Sequence, residues 1–403
     1  MTQRLASRVG NGPLLAPRDI PATQDGFEVQ AVLNPATARL GDEIVLLMRV
    51  AERPRTDLDP PSDARTLDFS GLHPKIAPLG RGYRKEDVVP IVVADPDSAE
   101  LRHIAVYLPR DLAGLDTSDP RGLSFTNAKL GKTFTFLTQV SHLQCARSHD
   151  GIHFTVDLEQ AISPSTHLEE YGCEDARATL IDGMWHVTYV AVSRVGVTPS
   201  LAVTPDFRRF EKRGAFLPPD SKDAVLFPIA HERGYTALTR PMPSSFGHVL
   251  GIWLRFPKRG VPWGGLQPLV LPREGFWDER QTGAGTVPIR TSAGWLEIYH
   301  GVDADHTYAL GAVLLKGDDP RVVLARSADP ILRPEAPYER SGLLSSVVFT
   351  CGHVPLDDRG DRIRVYYGAA DSVIAAADFS VQEVLESLGP PDSPAGHQKK
   401  FLI

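Results

Sequence analysis

Five short runs of branched and aromatic residues, each placed just after a glycine turn, constrain this chain more than any other feature. They are EIVLLMRV (43–50), WHVTYVAV (185–192), YTALTR (235–240), WLEIYHGV (295–302) and IRVYYGAA (363–370). The turns before them are Gly41-Asp42, Asp182-Gly183, Arg233-Gly234, Ala293-Gly294 and Arg359-Gly360-Asp361. A β-rich run entered from such a turn is the sequence form of a hairpin. The last four turn glycines are spaced by 51, 60 and 66 residues, and 142 residues separate the first from the second. A second recurring element lies between them: Ser148-His149-Asp150-Gly151-Ile152-His153-Phe154 resembles Thr204-Pro205-Asp206-Phe207-Arg208-Arg209-Phe210, with a looser copy at Arg255-Phe256-Pro257-Lys258. Hairpins and turns repeating at such intervals read as four-stranded blades. The expected fold is therefore all-β, a five-bladed β-propeller with short terminal arms.

The expected organisation is an N-terminal arm over 1–26, a propeller over 27–379, and a C-terminal helix and tail over 380–403. Segment 100–135 reads as a loop-like insertion into the long first interval. Helical periodicity is scarce; its clearest case, SVQEVLESL (380–388), is stopped by Gly389-Pro390-Pro391. The 34 glycines and 34 prolines are scattered as punctuation and mark no linker. A net charge of −7 argues against nucleic acid or an anionic membrane as partner. Three distant cysteines (Cys145, Cys173, Cys351) make neither a disulfide framework nor a Cys-rich zinc site. With no leader-like start and no run of eighteen apolar residues, the expectation is a cytoplasmic protein without membrane spans.

In a propeller, polar residues at the inner ends of the blades meet in a central funnel. Tyr171-Gly172-Cys173-Glu174-Asp175-Ala176-Arg177 places two acids and an arginine before an apolar strand, and adjacent residues on a strand face opposite sides. Lys222, Arg240 and His300 stand at corresponding edges of successive blades and together make a candidate anion site. Other patterns fail. Gly283-Ala284-Gly285 has no third glycine for dinucleotide binding, Asp303-Ala304-Asp305 is no calcium loop, and the thirteen histidines show no zinc spacing. No metal, nucleotide or flavin is expected.

With these residues placed, the chain resembles glycoside hydrolase family 130, mannoside phosphorylases and related β-mannosidases, from about Phe27 to Phe379. The resemblance is carried by Asn34-Pro35 and the strand ending in Arg49, Glu174-Asp175-Ala176-Arg177, Lys222-Asp223-Ala224-Val225-Leu226-Phe227-Pro228 and Arg240-Pro241. It continues through Gly283-Ala284-Gly285, Tyr299-His300-Gly301-Val302, Ala325-Arg326-Ser327 with Pro330-Ile331-Leu332, and Tyr366-Tyr367-Gly368-Ala369-Ala370-Asp371. It implies inverting phosphorolysis of a short β-mannoside, leaning to β-1,2 linkage, by inorganic phosphate as co-substrate, giving α-mannose 1-phosphate. Asp175 is then the general acid, Lys222, Arg240 and His300 hold phosphate, and Asn34, Arg49, Glu174, Arg177 and Asp371 bind the sugar. No cofactor is implied; homo-oligomers are common in the family, and the two arms offer contact elements.

Two departures keep alternatives open. Gln281 stands where the phosphorylases commonly carry lysine, and Leu344-Ser345-Ser346-Val347-Val348-Phe349 replaces the usual Val-Pro-Asn-Val-Val-Phe. An inverting β-mannosidase would need a second carboxylate as base, for which Asp278 and Glu279 are candidates. The remaining alternative is a non-catalytic glycan-binding propeller.

Overall fold

The turn glycines adopt the backbone their sequence context requires: Gly41, Gly183, Gly234, Gly294 and Gly360 all have φ between +64° and +146°, a region closed to most L-residues. The structure, a computed structural model, describes residues 5–98, 100–119, 121–232, 234–243 and 249–391; Arg233 of the third turn lies outside them. Each β-rich run forms the second strand of an antiparallel blade, and five blades make a β-propeller, blades 1 and 2 being joined by a parallel bridge between Ser141 and Gly172.

Blade 1 comprises Phe27–Leu40, Glu43–Pro54, Val140–Ser148 and Thr155–Ile162. Blade 2 runs Gly172–Ile181, Met184–Ser193, Gly196–Thr204 and Glu211–Ala215. In blade 3 the strands are Ser221–Leu226, Ala237–Pro241, Ile252–Lys258 and Val261–Val270. Blade 4 has Gln281–Ala284 with Ile289–Arg290, then Trp295–Val302, Tyr308–Leu315 and Val323–Ser327. Blade 5 has Val348–Pro355, Arg362–Ala369, Val373–Ser380 and, from the chain start, Ser7–Arg8. Apolar side chains fill the joints between blades rather than one central core. Leu47, Cys145, Cys173 and Phe207 pack between blades 1 and 2, and Phe227, Leu254, Trp295 and Val313 between blades 3 and 4. The axis is thereby left to polar groups. All three cysteines are free and buried. Among the described residues no helix is long and apolar enough to cross a membrane.

Three expectations are corrected. The N-terminal segment is not an arm outside the blades, because Ser7 and Arg8 pair with Asp378 and Ala377 as the outermost strand of blade 5. The segment after Phe379 forms the expected short helix, Val381–Glu386, but Leu388–Gly389 then pairs with Arg326 and Ser327 of blade 4; the tail from 392 onwards lies outside the described residues. Finally, segment 100–135 is not a loop. The insertion occupies 55–139, between the second and third strands of blade 1, and contains two small sheets, one over 65–109 and one over 115–137. The missing signal is the turn: Val88–Ala94 and His103–Pro109 are apolar runs but neither is entered from a glycine turn, and the other strands are short and partly exposed. Phe69 joins the two sheets, its ring 4.0 Å from Phe125 and 6.0 Å from Phe136. His103 Nε2, 2.7 Å from the Glu170 carbonyl, ties the insertion to blade 2.

A buried ion pair further fixes the N-terminal strand of blade 5. Arg8 donates from Nε and Nη2 to the two oxygens of Glu339 at 2.7 and 2.8 Å, and Tyr367 Oη adds a third donor at 2.7 Å. Glu339 is fully buried. Replacing Arg8 by alanine leaves that carboxylate short of its main counter-charge, so we expect a loss of about 1–3 kcal/mol in urea denaturation, with no change in the far-UV circular dichroism of the native state.

Candidate active site

The inner strands of blades 1, 2 and 3 share one irregularity. Their ladders slip between Leu33 and Ala36, between Glu174 and Arg177, and between Lys222 and Val225. At each slip the first skipped residue is left-handed: Asn34 at φ +48°, Asp175 at +45° and Asp223 at +53°. Asn and Asp are the non-glycine residues that best tolerate this region, and a bulge re-aims the side chain it carries. Three blades thus turn one short polar side chain each into a common centre.

The first polar cluster surrounds Asp175. Asn34 Nδ2 donates to its Oδ1 at 2.9 Å and Arg49 Nη1 at 3.3 Å, while Arg49 Nη2 reaches Glu174 at 2.7 Å and Nε donates to Ser141 Oγ at 3.0 Å. Burial pushes the Asp175 carboxyl up, but Arg49, Arg177, the Asn34 hydrogen bond and Lys222 together outweigh it and hold it below the usual range. In this state Asp175 is a carboxylate. Asp371 stands on the turn between the second and third strands of blade 5, where both Ala370 and Asp371 are left-handed (φ +48° and +50°). Its carboxyl is shifted the other way, raised by burial and by Asp175 and Glu174 against the pull of Arg49 and Arg121. Gly368 makes room for this arrangement, since a Cβ there would collide with Asn34 Oδ1.

The second cluster surrounds Asp223, which is fully buried. Arg240 Nε donates to its Oδ2 at 2.7 Å, Arg177 Nη2 lies 3.4 Å from Oδ1, and His300 Nε2 is 3.6 Å from Oδ2. Burial alone would push this carboxyl up; Arg240, His300, Arg177 and Lys222 drive it far down instead. The His300 ring lies 4.4 Å from the Phe349 ring at a tilt of 39°, and neither of its nitrogens has a hydrogen-bond partner among the described residues. Burial depresses it to about 3, so the ring is neutral. Gly283 is needed here, because a Cβ would run into both His300 and Asp223.

Between the propeller and the insertion lies a cavity of 380 Å³, within the size range of small-ligand sites. Arg49, Glu174, Lys222 and Asp371 line it from the propeller, and Asp116, Asp119, Arg121 and Ser124 from the insertion. Arg121 is held by Asp119 through Nε at 3.2 Å and Nη2 at 3.1 Å. Of the residues singled out in the sequence, Asn34, Arg49, Glu174, Asp175, Lys222 and Asp371 gather at or directly beneath this cavity. Arg240 is nearly buried and His300 wholly so, both held against Asp223. Two readings are corrected. Arg177 has no exposed surface and spends its guanidinium on protein: Nη1 donates to the Asp175 carbonyl at 2.8 Å and Nη2 to the Ala284 carbonyl at 2.9 Å. It braces the site from beneath, with its donors already engaged. His300, read as part of a cationic set, is neutral in this state.

Asp278 does not reach the cavity. It is buried and accepts from Arg273 at 3.0 and 2.8 Å, from Arg326 at 2.6 Å and from Tyr299 Oη at 2.8 Å. Glu279 instead caps the Gly275 amide at 2.9 Å. Gln281 Nε2 donates to Tyr308 Oη at 3.2 Å. Among the described residues no group of three or more His, Cys, Asp or Glu is placed to hold a metal ion. Sequence reasoning passed over Asp223, although Asp-Ala recurs at 175–176 and 223–224 at the same bulge. Nothing in the sequence marked Asp119 or Arg121, whose place depends on the insertion folding over the funnel.

A family model described as beta-1,4-mannooligosaccharide phosphorylase matches residues 135–389. A beta-1,2-mannobiose phosphorylase of Listeria innocua serovar 6a is 35% identical over 381 residues, covering 94% of this chain and 98% of that protein. A 1,2-beta-oligomannan phosphorylase of a Thermoanaerobacter species is 35% identical over 261 residues, 64% of this chain and 83% of its own length. The solved structure of the Listeria beta-1,2-mannobiose phosphorylase in complex with beta-1,2-mannobiose superposes with a TM-score of 0.79 at 34% identity, covering 95% of this chain and 99% of that one.

The buried histidines give the fold a defined pH response. His142 and His300 are depressed by burial to about 4 and about 3, whereas in the unfolded chain both titrate near 6.5. The unfolded state therefore binds more protons between those values, so stability is complete above about pH 6.5 and falls as the pH drops towards 4. Each histidine should cost about 2 kcal/mol at pH 5 relative to pH 7. We expect the thermal midpoint to fall over that interval, and His142→Gln to flatten the slope.

Proposed function

The chain belongs to glycoside hydrolase family 130, and on that premise we propose that it is an inverting phosphorylase of short β-mannosides, β-1,2-mannobiose foremost, with inorganic phosphate as co-substrate. The observation that carries this reading is a buried carboxylate, Asp175, on the strand next to one bearing Lys222, with Arg240 paired to that strand in turn. A phosphate dianion beside a carboxylate needs such cations close by, and fixed charges aimed at the reacting centre act most strongly where water is excluded. The mannobiose activity of the Listeria relative, aligned over nearly the whole chain, supports the linkage.

In this mechanism Asn34, Arg49, Glu174 and Asp371 bind the hydroxyls of the mannose unit being transferred. Phosphate, held by Lys222, Arg240 and His300, attacks the anomeric carbon from the face opposite the departing oxygen. The C1–O bond breaks, Asp175 gives its proton to the leaving oxygen directly or through a sugar hydroxyl, and the hydrogenphosphate proton restores it. The products are α-mannose 1-phosphate and the shortened mannoside. Asp175 is ionised in the empty site because nearby cations keep it so; an incoming dianion cancels that field and raises its pKa towards the range a general acid needs. Neutral His300 contributes an N–H donor without adding a further positive charge beside Arg240. Asp371, raised by its acidic neighbours, suits a group that both donates to and accepts from a sugar hydroxyl. A phosphate-dependent reaction needs a compartment rich in free phosphate, so a cytoplasmic location belongs to this reading.

Hydrolysis loses its proposed bases on the same geometry. Asp278 is fully engaged by two arginines and a tyrosine, and Glu279 caps a turn. Phosphorolysis is tested by incubating the purified protein with β-1,2-mannobiose, with and without phosphate. Mannose 1-phosphate should form only when phosphate is present; free mannose appearing at equal rates in both would overturn the reading. Asp175→Asn keeps a residue that tolerates φ +45°, so it should fold normally while losing turnover by on the order of 10³-fold.

A further inference from the structure

A fully buried carboxylate at the centre of a phosphate cradle looks misplaced, since it repels the anion the cradle must hold. The geometry around Asp223 explains its presence. Arg240, Arg177 and Lys222 bring three positive charges into one water-poor region, and all three act on Asp223. Without a counter-charge, two guanidinium groups and an ammonium would push one another apart. Asp223 accepts from Arg240 through Nε alone, at 2.7 Å. The Nη1 and Nη2 groups of Arg240 have no hydrogen-bond partner among the described residues, so the end-on fork of the guanidinium is left free. That fork is the edge that grips a phosphate through two parallel hydrogen bonds. The side chain is anchored through Nε, with its Nη groups unpaired among the described residues.

Resting on the phosphorolytic reading, we propose that Asp223 is a positioning residue for phosphate: it locks Arg240 by Nε so that its Nη edge is presented to the co-substrate. Arg177 would lose less if Asp223 were neutral, because it keeps the carbonyls of Asp175 and Ala284 at 2.8 and 2.9 Å. The consequence of a change at 223 therefore falls on Arg240. Local structure supports the same role. The left-handed backbone at φ +53° sends the carboxylate across to the neighbouring strand, and the absence of a side chain at Gly283 lets it sit beside His300.

Asp223→Asn is the direct test, because asparagine tolerates the same backbone conformation and keeps the side-chain shape. Steady-state phosphorolysis of β-1,2-mannobiose would be measured with each substrate varied in turn. The KM for phosphate should rise about 10- to 100-fold, the range for losing a hydrogen bond to a charged group, while the KM for mannobiose stays within about threefold. In an Arg240→Ala background the same change should add little, because Asp223 acts through Arg240. If both KM values rise together, if phosphate KM is unchanged or lower, or if the two substitutions are additive, the proposal is wrong. Should Asp223→Asn not fold, Arg240→Lys carries the test. It keeps the charge but loses both anchor and fork, so phosphate KM must rise selectively; an unchanged value overturns the proposal. Wild-type protein that makes no mannose 1-phosphate from mannobiose and phosphate would instead overturn the reading on which the proposal rests.

Discussion

One guanidinium holds the centre of this molecule together. Arg177 is fully buried in blade 2 and donates to the Asp175 carbonyl of its own strand, to the Ala284 carbonyl of blade 4 and towards Asp223 of blade 3, with its carbon 5.7 Å from the Phe349 ring of blade 5. A buried arginine is costly unless its donors are met, and here acceptors from three blades meet them while the ring of a fourth covers the guanidinium. The bulges that carry Asp175 and Asp223 are both tied to it. Arg177 therefore joins the polar site to the closure of the ring.

Charge balance follows from the same constraint. The clusters around Asp175 and Asp223 lie in a region with little water, so no cation there can be added without a nearby carboxylate. Arg49 faces Glu174 and Asp175; Arg240 and Arg177 share Asp223. Lys222 remains half-buried on the cavity wall with no ion pair among the described residues, which makes it the cation most available to an incoming anion. Burial also decides that His300 is neutral, so its contribution to an anion site is a hydrogen bond rather than a charge.

The insertion in blade 1 changes what the funnel can be. A bare propeller would present the inner strand ends as an open mouth, whereas here Asp116, Asp119, Arg121 and Ser124 supply a facing wall. The insertion holds its place by a small aromatic core around Phe69 and by the bond from His103 to blade 2. It lies almost wholly outside the stretch matched by the family model, residues 135–389, so the part of the cavity it forms is set by this extension of the blade and not by the propeller itself.

Much of the architecture was legible from local chemistry. Turn glycines and the apolar runs after them are short-range signals, so all five second strands fell where the sequence placed them, and the motif residues Asn34, Arg49, Asp175, Lys222 and Asp371 come together in space. The pairing of Ser7–Arg8 with blade 5 was not legible, because two residues joining a strand more than 360 positions away leave no periodic trace. Nor was the strand content of the insertion, whose apolar runs at Val88–Ala94 and His103–Pro109 follow no glycine turn. The sequence by itself determined the repeat, the all-β class and the residue types available for chemistry, since these depend on neighbours along the chain. Only the tertiary structure decided that Arg177 lies beneath the site, that His300 is neutral, that Asp223 anchors Arg240 and that Arg121 faces the cavity. Those outcomes depend on burial and on charges brought together from different blades, and neither exists until the ring has closed.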